Sequence, residues 1–189
     1  IVGGGFTGLS TAWHLRQRHP ELGILVLEGR TVGTGGSGRN GGLMVNWVNG
    51  VDSKDPVLTP RVWAATLEGI DLIEGMIREH QLPVRYRRTG ALDVFTSAAQ
   101  AEAAAAQVEK LNSWGIPLRY LDRAALAGHC RVEGAVGGVF DPTAGHLHGL
   151  DYVRALKDLL LRSGVQICEH SPVTRLEPGA EVRVRAITD

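Results

Sequence analysis

The first 28 residues limit the possible folds more than any other part of the chain. A short apolar segment is followed by the spacing G-x-G-x-x-G, formed by Gly3, Gly5 and Gly8. Residues 9–16 carry apolar side chains at helical spacing, and the next apolar run, ILVLE, ends in Glu28. The order of strand, glycine turn, helix and second strand predicts a β-α-β unit in a parallel sheet.

Each part of this unit suits a dinucleotide better than a glycine-rich turn of some unrelated fold. The glycines permit a tight turn and close approach of a pyrophosphate, and the helix N-terminus offers N–H groups to its oxygens. Glu28 stands where a carboxylate accepts hydrogen bonds from a ribose diol. Its charge would repel a 2′-phosphate, which disfavours NADP although Arg30 follows. NAD and FAD both remain open at this point.

A second glycine-rich stretch, VGTGGSGRNGG at residues 32–42, follows the second strand almost at once. Its glycines exclude a regular helix, because each interior glycine costs about 1 kcal/mol relative to alanine. A helix is what a plain NAD-binding unit would have here. Open backbone with Ser37, Arg39 and Asn40 as donors favours a longer, flat ligand, and therefore FAD over NAD.

These two stretches resemble the FAD-dependent D-amino-acid oxidase superfamily, and SGRNGG is most similar to its gamma-glutamylputrescine oxidase and glycine oxidase-like branch. GGVFDPTAGHLHGLDYVRAL at residues 137–156 and GVQICEHSPVTRLE at residues 164–177 are similar to two further segments of that family. The family usually has proline where Gly149 stands, so the entry to the following helix is expected to differ.

The resemblance implies an α/β fold in which a Rossmann-like FAD-binding domain carries an inserted α+β substrate domain. We expect residues 1–48 to form the first part of the FAD domain, residues 49–136 the inserted domain, and residues 137–189 the second, incomplete part. We also expect the chain to be truncated at both ends, because the first strand lacks its beginning and the family's second half of the flavin site is missing.

The resemblance also implies which residues contact FAD. Most lie in the two glycine stretches, with Arg39 and Asn40 nearest the isoalloxazine, and one is the valine that meets the adenine through its backbone. No cysteine or histidine stands in the second stretch, so we expect noncovalent FAD. The expected FAD contacts are Gly3, Gly5, Phe6, Thr7, Gly8, Glu28, Gly29, Arg30, Gly36, Ser37, Gly38, Arg39, Asn40, Gly41, Gly42 and Val173.

The implied activity is oxidation of the C–N bond of an amine or amino acid, by hydride transfer to flavin N5, with O2 or a quinone or other electron carrier as the final acceptor. No residue is assigned as catalytic. Two alternatives remain open. One is a flavin dehydrogenase of a hydroxy acid or glycerol phosphate, and the other is a nucleotide-binding module without turnover.

Composition narrows the partners and the location. Twenty basic residues balance twenty acidic ones, so nucleic acid is not expected as a partner. No apolar run approaches the length of a transmembrane helix. Cys130 and Cys168 are far apart and in no metal-type spacing. We therefore expect a cytoplasmic protein, with peripheral membrane attachment as the alternative.

In the middle of the chain, a polar link at residues 49–60 precedes a long helix, and residues 98–113 form a second predicted helix. Ser97 and Gln100 match a capping box for that second helix. Asp122 is expected to cap a short helix that ends near Gly128.

Three further groups have competing interpretations. His146 and His148 alternate along a predicted strand, but without a third ligand nearby we expect no metal. The side chains of Arg85, Arg87 and Arg88 match carboxylates in geometry, although an exposed strand face explains them as well. The last is Trp47, which either lines a substrate pocket or packs in a core.

Overall fold

The structure is a computed structural model that describes residues 1–48 and 54–187. Five α-helices are present in the described residues. They are α1 (Phe6–Arg18), α2 (Leu58–Glu79), α3 (Ala98–Ser113), α4 (Arg123–Ala127) and α5 (Gly149–Arg162). Ten short strands accompany them. They are β1 (Leu25–Leu27), β2 (Leu43–Met44), β3 (Tyr86–Arg87), β4 (Ala91–Phe95), β5 (Arg119–Asp122), β6 (Gly137–Asp141), β7 (Gly145–Leu147), β8 (Gln166–Cys168), β9 (Val173–Glu177) and β10 (Arg183–Ala186).

The chain divides into two compact units. Unit 1 consists of Ile1–Gly42, Gly75–Arg85 and Leu147–Asp189. Unit 2 consists of Leu43–Glu74 and Tyr86–His146. Both units combine helices with strands, and the α/β fold class is confirmed.

Unit 1 is built on parallel strands. β1 pairs with β8 in parallel, with Val26 opposite Ile167, and Val2 forms a parallel bridge to Leu27 on the other side of β1. Val26 is fully buried, as expected for a strand covered on both faces. Helices α1 and α5 pack against each other, and Phe6 contacts Tyr152 with ring centroids 6.0 Å apart. Antiparallel β9 and β10 complete the unit.

Unit 2 has an antiparallel sheet in the order β4-β6-β5. Helix α3 packs on β6, the central strand, and buries Ala101 and Val108. A second, smaller sheet has the order β2-β7-β3. Strand β2 begins one residue after the second glycine stretch, so that stretch leads straight into unit 2.

The predicted helix at residues 98–113 is confirmed, and so is the short helix capped by Asp122, whose carboxylate accepts a hydrogen bond from the Ala125 N–H at 2.8 Å. The capping box is wrong. Ser97 occupies the N-cap with an extended backbone, but its side chain makes no capping hydrogen bond, and Gln100 is exposed.

The borders of the compact units differ from the predicted domain borders at residues 48, 49, 136 and 137. Residues 137–146 belong to unit 2 because β6 is the central strand of its sheet. Residues 75–85 belong to unit 1, where His80 packs edge-on against Trp13 at 4.9 Å. The start of the polar link, residues 49–53, lies outside the described residues. That the units divide cofactor and substrate binding between them stays a prediction.

Candidate cofactor-binding site

The first glycine turn has the backbone that the motif predicts. Gly3 has a φ of +97°, which glycine adopts without strain, and Gly5 is the N-cap of α1. A Cβ added at Gly8 would lie 1.9 Å from the carbonyl oxygen of Gly3. Glycine at that position therefore lets the helix start close against the preceding strand. Phe6 is half-buried and Thr7 exposed in the first turn of α1.

The second glycine stretch repeats this turn. Gly33 has a φ of +87°, and a Cβ added at Gly38 would lie 1.8 Å from the carbonyl oxygen of Gly33. Gly35 has φ −81° and ψ −162°, close to the −87° and −173° of Gly5. Gly33, Gly35 and Gly38 thus form a second G-x-G-x-x-G. The sequence prediction missed this repeat, although the spacing was visible, and so omitted Gly33 and Gly35.

The two turns open helices of different kinds. The first opens the 13-residue helix α1, whereas the second opens only a 3-10 helix, Gly36–Gly38. Gly41 lies beyond it and is exposed. The prediction that the second stretch forms no regular α-helix is confirmed.

Ser37 joins the two turns directly. Its hydroxyl oxygen accepts a hydrogen bond from the Phe6 N–H at 3.0 Å, which satisfies one of the N–H groups that a helix N-terminus leaves without a partner in the helix. A Cβ added at Gly5 would lie 2.9 Å from the same oxygen. The second turn therefore lies against the N-terminus of α1, and Gly5 leaves room for it.

Glu28 lies beside the first turn, at the end of β1. One carboxylate oxygen accepts from the Gly4 N–H at 2.7 Å, and the other accepts from the Arg30 N–H at 2.9 Å. Because each carboxylate oxygen has more than one acceptor site, both can still accept from a diol. Gly29 and Arg30 are exposed next to it.

The segment before β9 lies next to Glu28, at the end of β1. The Ser171 N–H donates to the carbonyl of Glu28, and the His170 N–H donates to that of Arg30, both at 2.8 Å. Val173, the first residue of β9, follows two residues after Ser171. The structure thus brings the segment containing Val173 next to Glu28, although they are far apart in sequence.

Glu169 links the segment before β9 to the start of the second glycine stretch. It accepts from the Val32 N–H at 2.8 Å and pairs with the Lys157 ammonium at 2.7 Å. Burial acts to raise the pKa of Glu169, but the hydrogen bonds from Lys157 and Val32 outweigh it, and the pKa lies below its ordinary value. Sequence reasoning did not identify this carboxylate.

Asn40 braces the second stretch from within. Its side-chain amide donates to the carbonyls of Gly36 and Ser37, and its oxygen accepts from the Gly42 N–H at 2.9 Å. This accounts for an asparagine at the position without any ligand. Arg39 is exposed. Contact of Arg39 and Asn40 with an isoalloxazine stays a prediction.

The N-terminus of α5 lies against the second stretch at Gly149. A Cβ at this buried position would collide with the Ser37 carbonyl and would lie 2.8 Å from the Asn40 amide nitrogen. The helix begins at Gly149 without a proline. His148 is its N-cap, and the His148 Nδ1 accepts from the Asp151 N–H at 3.2 Å. His148 therefore has a structural role.

Two of the three arginines bind the chain's own carboxylates. Arg85 forms a two-point pair with Asp151, and this hydrogen bonding lowers the pKa of Asp151. Arg88 binds Asp71 at 2.6 Å and Glu74 at 2.9 Å.

Over residues 1–48 and 54–187, no group of three or more His, Cys, Asp or Glu side chains is placed to hold a metal ion. None of the helices in these residues has the length and apolar character that a bilayer span requires.

Taken together, these residues fit FAD. Two matching glycine turns lie side by side. The Glu28 carboxylate lies at one end of them, next to the segment that leads into β9. Gly5 and Gly8 let these turns pack closely, because a Cβ at either position would clash within the protein itself.

Two curated proteins are similar to this chain in sequence. A probable oxidoreductase, OrdL, of Haemophilus influenzae is 31% identical over 92% of this chain and 41% of its own length. The gamma-glutamylputrescine oxidoreductase of Escherichia coli is 30% identical over 98% of this chain and 44% of its own length.

Two solved structures have the same fold at 18% identity. Glycine oxidase from Geobacillus kaustophilus superimposes with a TM-score of 0.83 over 98% of this chain and 50% of its own. The L-alpha-glycerophosphate oxidase of Mycoplasma pneumoniae, solved with FAD bound, gives 0.79 over 100% and 49%.

The chain spans a little over two fifths of the length of these two sequence relatives. The model of the DAO family, described as FAD dependent oxidoreductase, matches residues 1–189. This agrees with the glycine turns, the acid at the end of β1 and the resemblance found in the sequence. The chain belongs to the DAO family of FAD-dependent oxidoreductases.

Proposed function

We propose that the protein carrying this chain oxidises the C–N bond of an amine or amino acid and holds FAD noncovalently. The observation that carries FAD binding is the pair of matching glycine turns joined by the hydrogen bond from the Phe6 N–H to Ser37. Bound FAD supplies the electron acceptor for such an oxidation. The residues of this chain bind and orient it.

In this proposal the two ends of the site have different tasks. The N–H groups at the start of α1 bind phosphate oxygens, favoured by the helix dipole. Glu28 accepts from the ribose hydroxyls, and the backbone of Val173 meets the adenine. The end of the second glycine stretch, from Gly36 to Gly42, lies along the flavin end of the cofactor.

Noncovalent binding is supported by the absence of cysteine and histidine from residues 32–42. The test is precipitation of the purified protein with acid. We expect all the yellow colour in the supernatant. Flavin that stays with the precipitated protein would contradict this part of the proposal.

An amine substrate is supported by the name of the relative from E. coli, whose sequence is 30% identical. Oxidation of a C–O bond is the second candidate, because the glycerophosphate oxidase shares the fold. Anaerobic mixing with a panel of amines, amino acids, 2-hydroxy acids and glycerol phosphate separates the two. Bleaching of the flavin absorbance by amines or amino acids is expected. Bleaching by the C–O compounds alone would overturn the proposal, and a colourless protein that binds NAD would indicate a module without turnover.

The final electron acceptor is proposed to be O2 or a quinone or other electron carrier. Hydrogen peroxide formed in step with oxygen uptake would identify an oxidase. Reduction of a quinone or dye without peroxide would identify a dehydrogenase.

A further inference from the structure

One face of α5 supports the second glycine stretch. Gly149, Val153 and Lys157 follow one another at intervals of four residues, so they lie one above another on the helix. Gly149 lies against the Ser37 carbonyl. Val153 is fully buried, and a Cβ added at Gly33 would lie 2.9 Å from its Cγ2 atom. The first two residues of this face therefore pack directly on the stretch.

Lys157, the third residue of the face, reaches the stretch through Glu169. One oxygen of the Glu169 carboxylate pairs with the Lys157 ammonium at 2.7 Å, and the other accepts from the Val32 N–H at 2.8 Å. Both charged side chains are about three-quarters buried, which limits competition from water. The Val32 N–H is thus held by a carboxylate whose own position is fixed by α5.

Val32 stands at the base of the second turn, residues 33–38. It is buried, and the next residue, Gly33, carries the carbonyl against which Gly38 lies. Ser37, just before Gly38, accepts from the Phe6 N–H. The position of the Val32 backbone therefore determines where the turn lies and how it meets α1.

The segment that follows Glu169 is fixed by its own backbone. The His170 and Ser171 N–H groups donate to the carbonyls of Arg30 and Glu28, both at 2.8 Å. Neither hydrogen bond uses the Glu169 carboxylate. Loss of that carboxylate should therefore disturb the second glycine stretch and leave the end of the site beside Glu28 in place.

We propose that Glu169 is a positioning residue for the flavin end of FAD. Its carboxylate holds the Val32 N–H so that residues 36–42 are placed to receive the flavin, and Lys157 holds the carboxylate. It acts through Val32 rather than by contact with the cofactor, and binding of the adenine end does not depend on it. The inference rests on the proposed placement of the flavin end along residues 36–42.

The test compares two double variants that differ by one hydrogen-bond acceptor. The acceptor variant, Lys157→Met with Glu169→Gln, keeps an oxygen for the Val32 N–H. The non-acceptor variant, Lys157→Met with Glu169→Met, has a side chain of similar size without that oxygen. Neither variant carries a charge at the two positions, so the comparison isolates the acceptor. FAD and ADP are titrated by calorimetry into the complete protein after its FAD has been removed.

We expect the non-acceptor variant to bind FAD about tenfold more weakly than the acceptor variant, the usual effect of leaving one buried hydrogen-bonding group without its partner. The acceptor variant should bind FAD as the wild type does. ADP, which lacks the flavin end, should bind both variants equally well. Equal FAD affinities of the two variants would overturn the proposal. A parallel loss of FAD and ADP binding would do the same, because it would show a general effect on the fold.

The wild-type protein separates this inference from the proposed function. If it binds FAD no more tightly than ADP, the proposed placement of the flavin end fails. FAD that cannot be removed would contradict noncovalent binding. In either case hydrogen exchange decides the role of Glu169: the amides of residues 32–38 should exchange faster in the non-acceptor variant than in the acceptor variant, and equal exchange would overturn the assigned contact with Val32.

Thermal unfolding checks that both double variants fold. If the non-acceptor variant does not, Glu169→Asp replaces it, because aspartate keeps the charge and withdraws the acceptor by one methylene group. This variant should bind FAD more weakly than the wild type and ADP equally well. Wild-type affinity for FAD would overturn the proposal.

Discussion

Replacing Gly38 by alanine tests the repeated turn. The added Cβ would lie 1.8 Å from the carbonyl oxygen of Gly33, whereas real Cβ contacts are essentially never shorter than 3.0 Å. The backbone of the turn must therefore open by at least the difference, 1.2 Å. Strain of this kind in a well-packed site costs about 2–3 kcal/mol.

Gly8→Ala should cost about the same, because its Cβ would lie 1.9 Å from the carbonyl of Gly3 in the matching turn. Gly36→Ala is the control, since a Cβ there meets nothing within 4 Å. We expect the control to be neutral or stabilising by up to about 1 kcal/mol.

The assay is thermal unfolding of the three variants without added FAD, followed by circular dichroism. A loss of 2–3 kcal/mol corresponds to a fall of roughly 5–10 °C in melting temperature for a domain of this size. Retained flavin, measured by absorbance, should fall with Gly8→Ala and Gly38→Ala together. The reasoning is refuted if Gly38→Ala has the same melting temperature as Gly36→Ala, or if only Gly8→Ala is destabilised.

Three other substitutions test single contacts by urea unfolding. Glu169→Gln should cost about 1 kcal/mol at pH 7. Because the folded pKa of Glu169 is lowered, the difference from wild type should be full above the unfolded pKa and should shrink as the pH falls through the lowered folded pKa. A difference that does not shrink on acidification would contradict it. Asp122→Ala should cost about 1 kcal/mol through loss of the helix cap, whereas Ser97→Ala, which removes no capping bond, should be within about 0.5 kcal/mol of wild type. Arg88→Met should cost about 2–3 kcal/mol because one of its carboxylate partners, Glu74, is largely buried, and exposed Arg87→Met should not; equal effects would refute the assignment.

Local sequence patterns predicted the elements that local forces determine. The β-α-β unit at the start of the chain and the helix at residues 98–113 follow from apolar spacing and glycine positions, which act over a few residues. The cap at Asp122 is equally local. Ser97 shows the limit of such patterns, because a residue of the right type at an N-cap made no capping bond.

Contacts between distant segments could not be predicted in this way. Residues 75–85 belong to unit 1 because His80 packs on Trp13 and the Tyr152 hydroxyl contacts the Met76 sulfur at 3.5 Å, and neither contact leaves a periodic signal. The repeated glycine turn was a different kind of omission. Its spacing is present in the sequence, but glycine content alone predicts only open backbone there.

The Ser37 hydroxyl explains how one short stretch can both shape the site and bind in it. A hydroxyl has two acceptor positions and one proton. One acceptor position is used by the Phe6 N–H, so that the second turn is fastened to α1 before any ligand arrives. Under the proposed function, the proton remains for a ligand oxygen. The methyl group of an alanine could neither accept the Phe6 N–H nor donate a proton. The absence of a side chain at Gly5 leaves room for Ser37 beside the start of α1.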